Sequence, residues 1–306
     1  GDKNISLKGP GRFVFDHGNW NVPAMALLQT DPKLKYKTSA VFKAQSGNIT
    51  LAWSSTFFVL AALFLIFALY HRFALPYPDE DKTQTIPNFK VFIQDFFKTF
   101  ALFFKKKQIG RILAFLLLYR FAESQIVKLA SPFLLDAQEV GGLALTTGDV
   151  GFVYGTVGLL SLTLGGVLGG FVAARDGLKR WLLPMAIAIN LPDIVYVLLA
   201  YTQADSLLWV NIAVAVEQFG YGFGFTAYML YMIYVSEGDH KTAHFALTTA
   251  FMALGMMIPG MFSGWLQDII GYQHFFIWVM LATIPAIAII RIVPLDPNFG
   301  RKTKNG

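Results

Sequence analysis

Across its 306 residues the chain is 55% hydrophobic and only 14% charged, with a mean hydropathy of +0.51. A soluble domain carries about 25% charged residues, so this deficit argues against an aqueous globule. The same figures exclude intrinsic disorder and collagen-like repeats, and the absence of cysteine excludes a disulfide-stapled secreted fold.

Residue 1 is Gly rather than Met and the first apolar span begins near residue 50, which leads us to expect a fragment or a processed product. Residues 1–49 hold turn formers (Gly9-Pro10-Gly11, His17-Gly18-Asn19, Asp31-Pro32) and little periodicity, and read as an extracytoplasmic loop. Asn48-Ile49-Thr50 fits a glycosylation pattern, but it lies against the membrane and carries no weight. A transmembrane helix needs about 20 mostly apolar residues. Seven stretches qualify: 50–74, 109–135, 148–173, 180–201, 207–235, 243–266 and 273–293. Between the first two, residues 75–108 form a linker in which Phe89, Phe92, Ile93, Phe96, Phe100, Phe103 and Phe104 fall on a helical stripe. Lys90, Lys98 and Lys105–Lys107 accompany it, the pattern of an amphipathic helix lying in an anionic interface, or else of a polar start to the next span.

Basic residues of short loops stay in the cytoplasm. Arg72, Lys82, Lys90, Lys98, Lys105–Lys107, Arg111, Arg175, Lys179, Arg180, Lys241 and the tail residues Arg301, Lys302 and Lys304 share one side. The opposite short loops hold Asp136, Glu139, Asp149, Asp205 and Asp268 without Lys or Arg. The alternation puts the C-terminal tail, 294–306, in the cytoplasm.

A charge at bilayer depth costs about 2.5–3.5 kcal/mol even on the insertion scale, so it needs a partner, water or a solute. The second span carries Arg120, Glu123, Ser124, Lys128 and Ser131 within one arc of about 140° at about 100° per residue. One reading is an aqueous cavity in which Arg120, Ser124 and Lys128 bind an anionic or sugar-like solute and Glu123 carries a proton. The other is a buried ion network that fixes helix packing, since Arg120 and Glu123 are three residues apart and can pair. The fifth span adds Glu217, Tyr221, Gly224, Tyr228 and Tyr231, with tyrosines suited either to a sugar ring or to a helix interface. On the fourth, Asn190, Asp193 and Tyr196 form a shorter stripe, and Asp193 rivals Glu123 as proton carrier. The glycines of the third span (Gly148 to Gly170) and of the sixth (Gly255, Gly260, Gly264) read as close packing between helices.

Spans two to four and five to seven look like related triplets. Each has a glycine-rich middle helix ending in a small Asp–Gly loop: Gly166, Gly170, Asp176 and Gly177 in one, Gly260, Gly264, Asp268 and Gly271 in the other. Their opposite orientation is that of an inverted repeat, common in secondary transporters. The stretch G-G-F-V-A-A-R-D-G-L-K-R (Gly169–Arg180) resembles the cytoplasmic loop motif of the major facilitator superfamily, matching at Gly170, Arg175, Gly177, Lys179 and Arg180. Ala174 stands where the family has an acidic residue. The segment Thr242–Pro285, with P-G-M-F-S-G-W-L-Q-D-I-I-G-Y at its centre, and A-V-A-V-E-Q-F-G-Y-G-F-G at Ala213–Gly224 are similar to AmpG-type muropeptide permeases.

The resemblance covers about 109–293 and implies an all-α membrane protein with seven helices. These would be the last helix of an N-terminal half (50–74), a cytoplasmic linker, and the six-helix C-terminal half (109–293) built as a 3+3 inverted repeat. It implies proton-driven import of anhydro-sugar peptides across a bacterial inner membrane, with the bilayer and a missing N-terminal half as partners and Gly170, Arg175, Gly177, Lys179 and Arg180 as a gating loop. Arg120, Ser124, Lys128, Glu217, Tyr221 and Tyr228 would suit the solute. Another small anionic or sugar solute of the same superfamily is the alternative.

A seven-helix receptor matches the span count, but residues 273–293 lack a Schiff-base lysine and the chain lacks cysteines. His240 and His244 have metal-ligand spacing without a third ligand in reach, so no metal or other cofactor is expected. No enzyme motif and no basic groove for nucleic acid is present.

Overall fold

The structure, a computed structural model, describes residues 5–8, 13, 22, 24–33, 35–40, 49–76, 88–204 and 206–301. Asp205, Lys82, Lys302, Lys304, Asn48 and most of the leading turn formers lie outside the described residues. The chain divides into two compact units, Gly1–Gln84 and Thr85–Gly306.

In the first unit, strand β1 (Ile5–Lys8) pairs antiparallel with β2 (Leu27–Thr30), Ile5 opposite Thr30 and Lys8 opposite Leu27. This small two-stranded sheet lies in the leading segment read as a loop, and the described chain is otherwise mostly helical, consistent with an all-α membrane protein. Four residues per strand are too few to display a period of two, so composition hid it. Helix α1 (Ile49–Ala74) follows, apolar on every side and with its last turn marked by His71 and Arg72. None of its most apolar window is buried within the protein, as suits a helix whose solvent is hydrocarbon.

The second unit opens with α2 (Phe89–Phe104), started by Asn88, whose side chain accepts the Val91 N–H at 3.0 Å. The stripe divides between two environments. Phe103 is fully buried against His244 and Phe251, with ring centroids 5.5 and 6.1 Å apart, whereas Phe89 and Phe96 are exposed. Phe97, outside the expected stripe, is exposed as well, and the Phe92 side chain lies outside the described residues. The following turn is pinned by Lys106, whose ammonium donates to the Val235 and Glu237 carbonyls at the end of a later helix. Burial lowers the Lys106 pKa from the usual lysine value, with Glu237 acting the other way.

The expected second span is two helices, α3 (Ile109–Leu118) and α4 (Glu123–Leu135), separated by a turn at 119–122. The third begins as α5 (Thr147–Phe152), where Thr146 and Asp149 cap each other's backbone. It widens into a π-helical segment, Val153–Gly158, and continues as α6 (Leu159–Asp176). The fourth is broken as well: α7 (Leu178–Asn190), a 3-10 turn at Leu191–Asp193 containing Pro192, then α8 (Ile194–Thr202). Next come α9 (Leu207–Ser236) and α10 (Lys241–Ile290), the latter bent where Gly271 takes a left-handed φ of 74°. Thr50–Ala74, Thr147–Asp176, Leu178–Thr202 and Lys241–Ile290 are each long and apolar enough to cross a membrane. The described chain is thus a mostly helical membrane protein.

Helix α9 sits between α6 and α7, and glycines let it do so. A Cβ at Gly222 would run into the Leu162 carbonyl of α6; at Gly220 and Gly224 it would strike the Ala188 and Met185 carbonyls of α7. Gly165 and Gly169 of α6 answer from the other side. By contrast, Gly151, Gly155, Gly170 and Gly264 have open space where a side chain would go, so packing explains only part of the glycine pattern. Gly224, expected on the tyrosine stripe, belongs instead to the α7 contact.

The buried apolar residues form two clusters. One gathers Phe115, Tyr119, Met185, Ile189, Tyr228 and Tyr231; the other gathers Ile126, Phe133, Tyr196, Val214, Tyr272 and Phe276. Along α3–α4, α7–α8 and α9 the membership changes at the same level: between Tyr119 and Ala122, between Ile189 and Tyr196, and between Val214 and Phe223. Both helix breaks lie at that level.

Candidate functional site

A polar layer fills the gap between the two clusters. It contains Arg120, Glu123, Asn190, Asp193 and Glu217, none more than 4% exposed. The break at 119–122 is what brings Arg120 and Glu123 there. The turn tightens locally: Phe121 N–H and Gln125 N–H bond the Leu118 and Ala122 carbonyls three residues back at 3.1 and 3.0 Å, while Ser124 N–H keeps the helical bond to Arg120 O at 2.9 Å.

Arg120 Nε donates to Glu123 Oε2 at 2.8 Å and Nη2 donates to the Tyr221 hydroxyl at 2.9 Å. The guanidinium lies over two rings of α9, 5.2 Å from the Tyr221 centroid and 4.8 Å from that of Phe225. Among the described residues no partner bonds Nη1, and Glu123 Oε1 is buried without a hydrogen bond. The ion pair thus leaves one donor edge and one acceptor uncommitted. An oxyanion reaching that edge would meet a charge-assisted donor beside a flat aromatic shelf.

A second group lies on the same level. Tyr196 donates to Glu217 Oε2 at 3.3 Å and approaches the Tyr154 hydroxyl at 2.6 Å. Gln218 Nε2 donates to both Glu217 oxygens, at 3.2 and 3.0 Å. Asp193 is 1% exposed and neither of its oxygens has a hydrogen-bond partner among the described residues.

Other expected residues fall elsewhere. Lys128 is exposed, unlike Arg120, and lies alongside Gly260; a Cβ on that glycine would come 3.1 Å from Lys128 Cγ. Tyr228 is fully buried and donates to the Leu116 carbonyl at 2.6 Å, while Tyr119 donates to Gly224 O at 2.9 Å, so this pair ties α3 to α9. Ser124 is buried with its hydroxyl on Phe121 O. Sequence reasoning missed Phe225 and Tyr154. The first is one more Phe among 29, and the second sits in a glycine-rich span that reads as packing.

The resemblance motif organises around Asp176. Arg175 Nη2 pairs with its Oδ2 at 2.9 Å, Trp181 Nε1 donates to the same oxygen at 3.0 Å, and Arg180 lies 3.8 Å from Oδ1. Gly177 takes a φ of 89°, and the next N–H, of Leu178, donates to Phe299 O in the tail. Lys179 is exposed. Asp176 thus supplies an acidic centre to the basic residues where position 174 is Ala.

No family model matches the chain. It is 27% identical over 255 residues to the anhydromuropeptide permease of Escherichia coli K12, covering 83% of this chain and 50% of that protein. It is 26% identical over 248 residues to the protein named AmpG 2 of Rickettsia typhi, covering 81% and 58%. To AmpG 1 of Rickettsia bellii it is 26% identical over 262 residues, covering 81% and 60%. The chain spans about half the length of the curated relatives it matches. Its apolar helices mark a membrane protein, and over about four fifths of its length the chain is similar to AmpG permeases and transporters.

Proposed function

We propose that the protein is, or is part of, a secondary carrier that imports a small anionic solute of the anhydro-sugar peptide class by alternating access, with protons as the driving ion. In this reading seven helices cross the inner membrane of a bacterium, the tail is cytoplasmic, and 109–293 form the six-helix C-terminal half of a major-facilitator fold. A further half completes the carrier, and the Asp176-centred loop acts in gating.

The observation that carries the proposal is the broken helix at 119–122. Interrupted backbone at membrane depth is tolerated where it lies within protein or lines a water-filled cavity, and half-helix ends there commonly hold substrate. Arg120 at this break has one donor edge without a partner and two aromatic faces beneath it. A solute carboxylate would compete with Glu123 for the guanidinium, and Tyr221 would offer its ring and hydroxyl to the sugar.

The test is uptake of a labelled anhydro-sugar peptide by cells whose own uptake is disabled. Hydrogen bonds to charged groups contribute about 1.5–3 kcal/mol, so Arg120→Ala is expected to weaken solute binding about 10- to 100-fold with normal membrane insertion. The near-complete burial of Arg120 favours one other reading, a packing ion pair. Under that reading the variant fails to accumulate as folded protein, because leaving Glu123 buried and unpaired costs about 3–5 kcal/mol.

A further inference from the structure

The polar layer holds three carboxyls, Glu123, Asp193 and Glu217, and among the described residues one cation, Arg120. Arg120 is committed to Glu123 at 2.8 Å. Ionising either remaining carboxyl would place an uncompensated charge in the bundle, which costs several kcal/mol, while a proton on it removes that cost. The two differ in what surrounds them. Asp193 has no donor to either oxygen, so nothing nearby replaces hydration for its anion. Glu217 accepts from Tyr196 and Gln218, groups that solvate its anion, and its hydroxyl donor continues outward to Tyr154. Tyr154 is only half-buried and belongs to the π-helical segment Val153–Gly158, a local widening often found at functional positions.

We propose that Glu217, Tyr196 and Tyr154 form a proton-exchange relay in which Glu217 is the carboxyl that takes up and releases the proton. Tyr196 has one hydroxyl proton and points it at Glu217 Oε2, so Tyr154 is the donor in the 2.6 Å contact. A proton arriving at Tyr154 Oη is passed on as Tyr154 gives its own to Tyr196 and Tyr196 gives its own to Glu217. Both tyrosines end neutral and Glu217 gains one proton; release runs the same bonds in reverse. The groups facing Glu217 are Tyr196 from α8, Tyr154 from the π segment, Asp193 from the 3-10 turn, Glu123 from α4, and Gln218 and Tyr221 on its own helix. This moves the exchanging role from Glu123 and Asp193 to Glu217 and removes Glu217 from the solute contacts. It rests on the carrier reading only for the use to which the proton is put.

The chain, reconstituted without solute in phosphatidylethanolamine–phosphatidylglycerol bilayers, is compared at stepped pH by infrared difference spectroscopy. The wild-type chain is expected to show a carboxylic C=O band that disappears as pH rises. Glu217→Gln abolishes it, Asp193→Asn retains it, and Tyr196→Phe shifts it to higher frequency by removing a hydrogen-bond donor. A wild-type chain without the band, or a pH-dependent band surviving in folded Glu217→Gln, overturns the relay. Should Glu217→Gln fail to insert, Tyr196→Phe decides, an unshifted band being the contrary result. Because no solute is present, the outcome is separate from that of the uptake test.

Discussion

Arg120 illustrates how one side chain can be read correctly and still be misplaced. Its charge in an apolar span required a partner, and three-residue spacing pointed to Glu123; both features are found. Its aromatic neighbours were not legible, because Phe225 is 105 positions away and no local pattern distinguishes it from a core residue. The same holds for Lys128, whose charge grouped it with Arg120 although it is exposed and Arg120 is buried. Tyr221 separates binding from packing among the α9 tyrosines, since its hydroxyl meets the guanidinium whereas that of Tyr228 is consumed by a backbone carbonyl. Tyr221→Phe keeps the ring and removes one hydrogen bond of about 0.5–1.5 kcal/mol. It is expected to weaken solute affinity by about 2- to 12-fold in a binding titration, and Tyr228→Phe is expected to lower thermal stability instead.

At the scale of the element, apolar runs located the helices but not their interruptions. Pro192, which removes a backbone donor, lies in the break between α7 and α8, whereas the apolar run 180–201 reads as one span. No proline or glycine marks 119–122, so nothing local in the sequence signals the turn there. Glycine spacing was legible as packing in general and not in particular. Within α9, Gly220, Gly222 and Gly224 alternate between α7 and α6 by facing opposite sides of one helix. Gly222→Ala overpacks the α6 contact and is expected to cost about 1–3 kcal/mol. Gly264→Ala meets nothing within 4 Å and gains helix propensity of up to about 1 kcal/mol. Thermal unfolding in detergent micelles should therefore lower the midpoint for the first and leave or raise it for the second.

For the whole molecule, composition fixed the solvent, and the charge asymmetry between loops is the ground for the proposed orientation. What composition could not supply is the layering: two apolar clusters with a polar sheet of side chains between them, held at one depth by two broken helices. That arrangement gives the carrier reading its physical content, since it gathers the buried ionisable groups on which a solute or proton would act. The chain has no cysteine, so a single introduced thiol reports its own surroundings without background. The most direct measurement is labelling of Tyr221→Cys by a charged, membrane-impermeant thiosulfonate in intact membranes. Labelling slowed by an anhydro-sugar peptide is expected, while Tyr228→Cys, buried one turn-pair away, stays unlabelled. Failure of Tyr221→Cys to react in folded protein, at any pH where the reagent is active, would contradict the carrier reading.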